Sequence, residues 1–331
     1  MTRLILTTSD SGAGALKMAG LADLVIGFRY RFTSGRLPST EFLTNSLAAR
    51  STVHSSEGSH WLDFVRPRQL EKMGIKNLGL IEACARFETT ELWIDPEADA
   101  QLQLVQLLDH FRSHGKSASG LMLRQASFVI GDKDAGELAD FMPAAVEVTN
   151  DHLELAHVAW QAFRAPTPQV WFDLLQQHPI LLPRLPKAML ALLEELPMRV
   201  TGLGATEMRV LELISEGYTN PFDLFPHNPS QRKVFDYWET GWLLDELARC
   251  RAPAVSGLDE GPFTVAMHKD RSRHARYKQS QLSLTALGEA VLAQTEDFSR
   301  HNPIHRWWGG TELTNARLWR WDPANRALIA P

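Results

Sequence analysis

Arg3-Leu4-Ile5-Leu6-Thr7-Thr8-Ser9-Asp10-Ser11-Gly12-Ala13-Gly14-Ala15-Leu16-Lys17-Met18-Ala19, followed by Leu24-Val25-Ile26-Gly27-Phe28, reads as strand, turn, helix and strand. Leu4-Ile5-Leu6 is a short apolar run of the kind a buried strand needs. Ser9 to Gly14 is small and turn-prone, and Ala15 to Ala19 suits a helix. This order is how a parallel sheet begins. Glu91 to Ile94 reads as a third strand, Ala100 to His110 as an amphipathic helix and Ser127 to Gly131 as a fourth strand. Strands alternating with helices predict an α/β domain over residues 1–148, with an open, mostly parallel sheet.

Beyond Val148 the strand signal stops. Helices are expected over Asp151 to Phe163, with Asn150 as N-cap, then over Val170 to Gln177 and Leu185 to Leu196, punctuated by prolines. These make residues 149–200 a helical connector. Residues 201–298 read as a winged-helix-like unit. It has one helix from Thr206 to a Gly217 C-cap and a second from Ser230 to Arg249. Strands follow at Phe263 to Met267 and Gln281 to Leu284, around a charged hairpin, before a closing helix from Thr285 to Leu292. Residues 299–331, rich in tryptophan, are expected as a C-terminal hairpin packed on the body.

The 331 residues allow about two domains on a prior of ~150 residues each. At 44% hydrophobic and 22% charged, the chain can bury sizeable cores. A net charge of -5 argues against a surface coated for nucleic acid or anionic membrane. Cys84 and Cys250 form no CxxC pair, which excludes a disulfide framework and a cysteine-rich zinc site. No run approaches the ~20 apolar residues of a membrane span, and the first residues are too short an apolar run for a signal peptide. The expectation is a cytoplasmic protein away from the membrane.

A set of motifs resembles a bacterial family catalogued only as a domain of unknown function. They are Ser9-Asp10-Ser11 with Gly14, Ala159-Trp160-Gln161-Ala162-Phe163, Gly202-Leu203-Gly204-Ala205-Thr206-Glu207, Leu284-Thr285-Ala286-Leu287-Gly288, and Trp308-Gly309-Gly310 with Trp319-Arg320-Trp321-Asp322. The family carries Trp-x-Glu-His-Asp-x-x-Asp-Gln-Leu mid-chain. Here that stretch is Trp93-Ile94-Asp95-Pro96-Glu97-Ala98-Asp99-Ala100-Gln101-Leu102, so the histidine is gone, and Ser9 stands where the family has glycine. The resemblance implies no known activity.

Several places could carry chemistry. Ser9, Asp10, Ser11, Gly12 and Gly14 lie between a strand and a helix, where backbone N–H groups favour an anion. The competing reading makes Asp10 or Ser11 a helix cap. Asp95, Glu97 and Asp99, with Gln101, could converge on a cation or act as acid and base. The competing reading is helix-start chemistry, with Pro96 at N1. Lys269, Arg271, Arg273, Arg276 and Lys278 put five cations against Asp270 in the expected wing, a possible phosphate contact. Asp236, Glu239, Asp245 and Glu246, on the helix that would enter the groove, oppose DNA. The terminal tryptophans, beside Arg306 and Arg320, could stack a base or pack a hairpin. No HExxH, HxH or GxSxG pattern occurs; His110 and His114 are four apart, weak grounds for a metal, and no metal or cofactor is indicated.

Three function classes stay open. One is a regulatory or interaction protein holding a small anion or nucleotide, with a protein partner or second copy of the chain. The second is an enzyme on a phosphorylated or nucleotide-like substrate, using Asp10 with Asp95 or Glu97. The third, not favoured, is a DNA-binding regulator.

Overall fold

The computed structural model describes residues 2–114, 120–140, 142–178, 180–226 and 234–331. The chain is α/β. Strand β1 (Arg3–Thr7) leads through α1 (Asp10–Met18) to β2 (Leu24–Gly27). Short helices α2 (Thr40–Leu47), α3 (Pro67–Met73) and α4 (Leu80–Cys84) precede β3 (Thr89–Ile94). Helix α5 (Ala98–Ser113) runs on to β4 (Leu121–Gln125). A 3₁₀ turn (Ile130–Asp132), α6 (Ala135–Asp140) and β5 (Val146–Glu147) come next. Helices α7 (Asn150–Arg164), α8 (Gln169–Gln176) and α9 (Leu185–Glu194) follow.

Among the described residues these strands form one sheet in the order β2-β1-β3-β4-β5. The first four pair in parallel and β5 pairs antiparallel with β4. Leu4, Ile5 and Leu6 are fully buried, as a central parallel strand covered on both faces must be. Ile5, Val25 and Trp93 face a cluster with Ala13, Leu16, Ile130 and Leu138.

The fourth strand is Leu121–Gln125 and not the expected Ser127 to Gly131. Its register against Thr90–Ile94 ends at Gln125. The apolar Phe128, Val129 and Ile130 then turn away, because the Ile130 N–H donates to Asp95 Oδ1 at 2.7 Å instead of to a neighbouring strand. Helix α7 starts at Asn150 itself; the carbonyl of Thr149 accepts the Leu153 N–H, which puts Thr149 at the cap.

The later elements are α10 (Ala205–Ser215), a 3₁₀ turn (Pro221–Leu224), α11 (Tyr237–Arg249) and β6 (Val255–Ser256). Then come α12 (Val265–Lys269), α13 (Arg271–Gln279), β7 (Ser283–Leu284), α14 (Ala286–Leu292) and α15 (Phe298–His301). The chain closes with β8 (His305–Trp308), β9 (Thr311–Thr314), β10 (Arg320–Asp322) and β11 (Ala327–Ile329). The expected helix start at Ser230 lies outside the described residues. Helix α11 begins where Asp236 and Glu239 form a capping box.

The strand expected at Phe263 to Met267 and the charged hairpin after it are helical. Thr264 Oγ1 accepts the Met267 N–H at 3.2 Å and Asp270 Oδ1 accepts the Ser272 N–H at 2.9 Å, so two successive caps start α12 and α13. The antiparallel pair is instead Val255 with Leu284 and Ser256 with Ser283. The tail makes two hairpins, β8 with β9 and β10 with β11, where one was expected.

The chain divides into two compact units. Residues 1–32, 37–163 and 178–186 form the first; residues 33–36, 164–177 and 187–331 form the second. The core of the second unit gathers Leu203, Leu211, Leu244, Leu247, Val255, Phe263, Tyr277 and Val291. Backbone comes very close to backbone there. A Cβ on Gly288 would lie 2.1 Å from the Ala254 carbonyl oxygen, and Thr285 Oγ1 both caps Gly288 N and donates to Pro253 O at 2.7 Å. This gives the Leu-Thr-x-x-Gly motif a packing role.

Gly14, inside α1, has nothing within 4 Å of its would-be Cβ. Gly14→Ala should therefore stabilise by about 0.5–1 kcal/mol, as removal of a helix-interior glycine does. Gly288→Ala should cost at least about 1–3 kcal/mol from overpacking. Denaturant midpoints of the two variants check this, and shifts of the same sign would overturn it.

Candidate functional site

The strand order reverses between β1 and β3: the chain goes out to β2 on one side and to β4 on the other. In sheets of this kind ligands sit outside the carboxyl ends of the strands at that reversal. Thr7 lies opposite Trp93 in the ladder, so Thr8-Ser9 and Asp95 leave the sheet side by side.

Ser9, not Asp10 or Ser11, is the N-cap of α1, with Oγ accepting the Gly12 N–H at 3.1 Å. The same hydroxyl donates to Asp95 Oδ2 at 3.3 Å. The turn is packed closely by the protein itself. A Cβ on Gly27 would lie 2.9 Å from Ser9 O, and one on Gly131 would lie 2.3 Å from Ser11 Oγ. The small residues thus admit β2 and the 3₁₀ turn against α1. Gly12 is needed for its own cap, since a Cβ there would meet Ser9 Oγ at 2.7 Å; Gly14 has no such neighbour.

The acidic residues separate. Asp95 is 1% exposed and held by Ser9 and Ile130. Burial pushes its carboxyl up to about 6, against the two hydrogen bonds. Asp10 is exposed and pairs with Arg29 at 2.8 Å. Glu97 occupies the cap position of α5 without a side-chain cap bond. Asp99 is buried; it accepts from Phe32 N and from Gln103 Nε2, both at 2.8 Å, and pairs with Arg31 at 3.5 Å. Asp10, Asp95 and Asp99 thus go to different donors rather than to one another. Among the described residues no three His, Cys, Asp or Glu side chains could hold a metal ion.

The residues that follow β1 and β3 include buried amides and hydroxyls. Gln101 donates to the Asp95 carbonyl at 2.7 Å and Gln103 to the Thr8 carbonyl at 3.2 Å. The Oε1 atoms of Gln101, Gln103 and Gln106 and the Oγ1 atoms of Thr7 and Thr8 are buried with no partner among the described residues. Buried polar atoms are nearly always paired, so such a group calls for an explanation. Gln101 belongs to the sequence candidates; Thr7, Thr8, Gln103, Arg29 and Arg31 do not. A signal for the arginines was present. Phe28-Arg29-Tyr30-Arg31-Phe32 alternates with the period of an extended chain. The rings of Phe28, Tyr30 and Phe32 stack at 6.2 and 6.0 Å, which leaves the cations for Asp10 and Asp99.

The basic segment is partly neutralised within its own unit. Arg273 and Arg276 both bind Glu260, at 2.9 and 2.5 Å, and hold its carboxyl at about 2. Lys269, Arg271 and Lys278 are exposed. The tail cations also have internal partners. Arg306 makes two bonds to buried Glu207, at 3.0 and 3.1 Å, and Arg320 binds Asp297 at 2.8 Å and Met198 O at 3.0 Å. Trp308 and Trp321 are buried, so this part of the tail is packing.

The raised Asp95 carboxyl makes a pH prediction. The folded state holds a proton that the unfolded chain releases near pH 4, so stability falls as pH rises from about 4 to about 6 and the deficit persists above that. With a shift of about two units, the loss is at most about 3 kcal/mol. Asp95→Asn should flatten this part of the profile. Unfolding free energies measured across pH 4–7 for both proteins test it, and parallel profiles would count against a buried, proton-holding Asp95.

No family model matches the chain, and no curated protein matches it.

Proposed function

We propose that the α/β unit holds a small phosphorylated, hydroxyl-bearing ligand, nucleotide-like in its chemistry, at the carboxyl edge of β1 and β3. The chain then acts as a cytoplasmic regulatory or interaction protein of the bacterial family its motifs resemble. The observation that carries this reading is the set of unpartnered buried atoms on Thr7, Thr8, Gln101 and Gln103. Carboxamide oxygens accept from ligand hydroxyl or amino groups. Arg29 and Arg31, both partly exposed beside this edge, supply charge for a phosphate. Ser9 and Asp95 set the geometry of the turn. A catalytic pairing of Asp10 with Asp95 has less support, since the two carboxylates go to different partners.

A thermal-shift panel of nucleotides, sugar phosphates, inorganic phosphate, divalent metals and duplex DNA tests it. A ligand at ~100 times its Kd should stabilise by about 2.7 kcal/mol, which moves a melting curve by several degrees. Nucleotides or sugar phosphates should act more strongly than inorganic phosphate. Thr7→Val with Thr8→Val removes two unpaired hydroxyls, so it should leave the free protein as stable or more so while abolishing the ligand shift. A flat panel, or a shift the double variant retains, would reject the site.

A further inference from the structure

We propose a second ligand site in the same unit, at the carboxyl end of β4, for a small monocarboxylate with an apolar body. The site is a cavity of about 360 Å³, within the size range of small-molecule pockets. Its apolar wall includes Leu123, Phe128, Val146 and Leu181. Its polar lining is Gln125, Ser127, His152 and Arg184, and among the described residues no aspartate or glutamate lines it.

The polar groups are arranged as donors. His152 is 6% exposed, and its Nδ1 accepts the Thr149 N–H at 3.2 Å, which leaves the proton on Nε2. Burial pushes this imidazole below its ordinary value, so it is neutral at pH 7; the charge of Asp151 opposes the shift more weakly. Gln125 Oε1 accepts the Arg184 N–H at 3.3 Å, so its amide NH₂ is the group left over. The Arg184 guanidinium has no hydrogen bond or ion pair among the described residues, in contrast to neighbouring Arg124, which binds Glu91 at 2.8 Å and the carbonyl of Pro143. The Arg124 bond to Pro143 and the pairing of Val146 with Leu123 fix two walls of the cavity. One uncommitted cation and several donors within an apolar wall fit a carboxylate head with a hydrocarbon tail.

Titration calorimetry with butyrate, hexanoate and octanoate at constant ionic strength, beside hexanol and hexylamine, tests the site. Binding should be saturable, strengthen with chain length until the cavity is filled, and prefer hexanoate to hexanol by about ten-fold or more. Arg184→Gln keeps the backbone bond to Gln125 and should weaken hexanoate by a similar factor. Ala144→Leu, at an exposed lining position, should block the longer acids while the protein remains folded. The Thr7→Val, Thr8→Val protein should bind hexanoate normally, so failure here is separable from failure of the phosphate-ligand reading. Absence of saturable binding at millimolar concentration, equal binding of hexanol, or full retention by Arg184→Gln would overturn the proposal.

Discussion

Strand β1 hydrogen-bonds in parallel to β2 on one side and to β3 on the other, and the rest of the α/β unit depends on that placement. A strand paired on both edges and covered on both faces must be apolar throughout, and Leu4 to Leu6 are. Its last residues then emerge at the middle of the sheet edge. There the ladder ends after Thr7, Gln103 of α5 donates to the Thr8 carbonyl and Ser9 donates to Asp95. Polar side chains at the start of α5 are buried beside that edge, Gln101 against the Asp95 carbonyl and Gln103 against the Thr8 carbonyl.

Buried polar side chains distinguish α5 from an ordinary core helix. Apolar Leu102, Val105 and Leu108 are buried as expected, but so are Asp99, Gln101, Gln103, Gln106 and His110. Burying amides whose oxygens lack partners costs stability. Asp95 adds to this cost, and its raised carboxyl is the electrostatic sign of it. Sites of this kind are where a fold departs from the best-packed solution.

In the second unit the Gly-Leu-x-x-Thr-Glu and Trp-x-Gly-Gly stretches have packing duties. Gly202 has φ 72°, and a Cβ there would lie 2.2 Å from Asp297 Oδ1. Thr206 donates to buried Glu195, whose carboxyl burial raises to about 7, and Glu207 holds Arg306. Gly310 approaches Arg164 O so closely that a Cβ would lie 2.0 Å away, and Trp308 Nε1 donates to Leu192 O at 2.7 Å. Gly241 lets the Phe263 ring lie against α11. Such glycines answer to contacts between distant segments.

The sequence by itself determined the α/β class, the parallel opening and the longer helices, because these follow from local periodicity and capping: Ala100 to His110 and Asp151 to Phe163 are legible in it, inside the observed Ala98–Ser113 and Asn150–Arg164. It also named Ser9, Asp95 and Gln101 as neighbours of a strand end. Only the tertiary structure decided that β4 is Leu121–Gln125, since Ile130 was claimed by the Asp95 carboxylate from another strand. It decided that residues 265–279 hold two capped helices, and that Asp10, Asp95 and Asp99 each face different donors. The reason is range. Helix and strand periods are written within a few residues, whereas the partner of a buried carboxylate or amide is set by which distant backbone reaches it first.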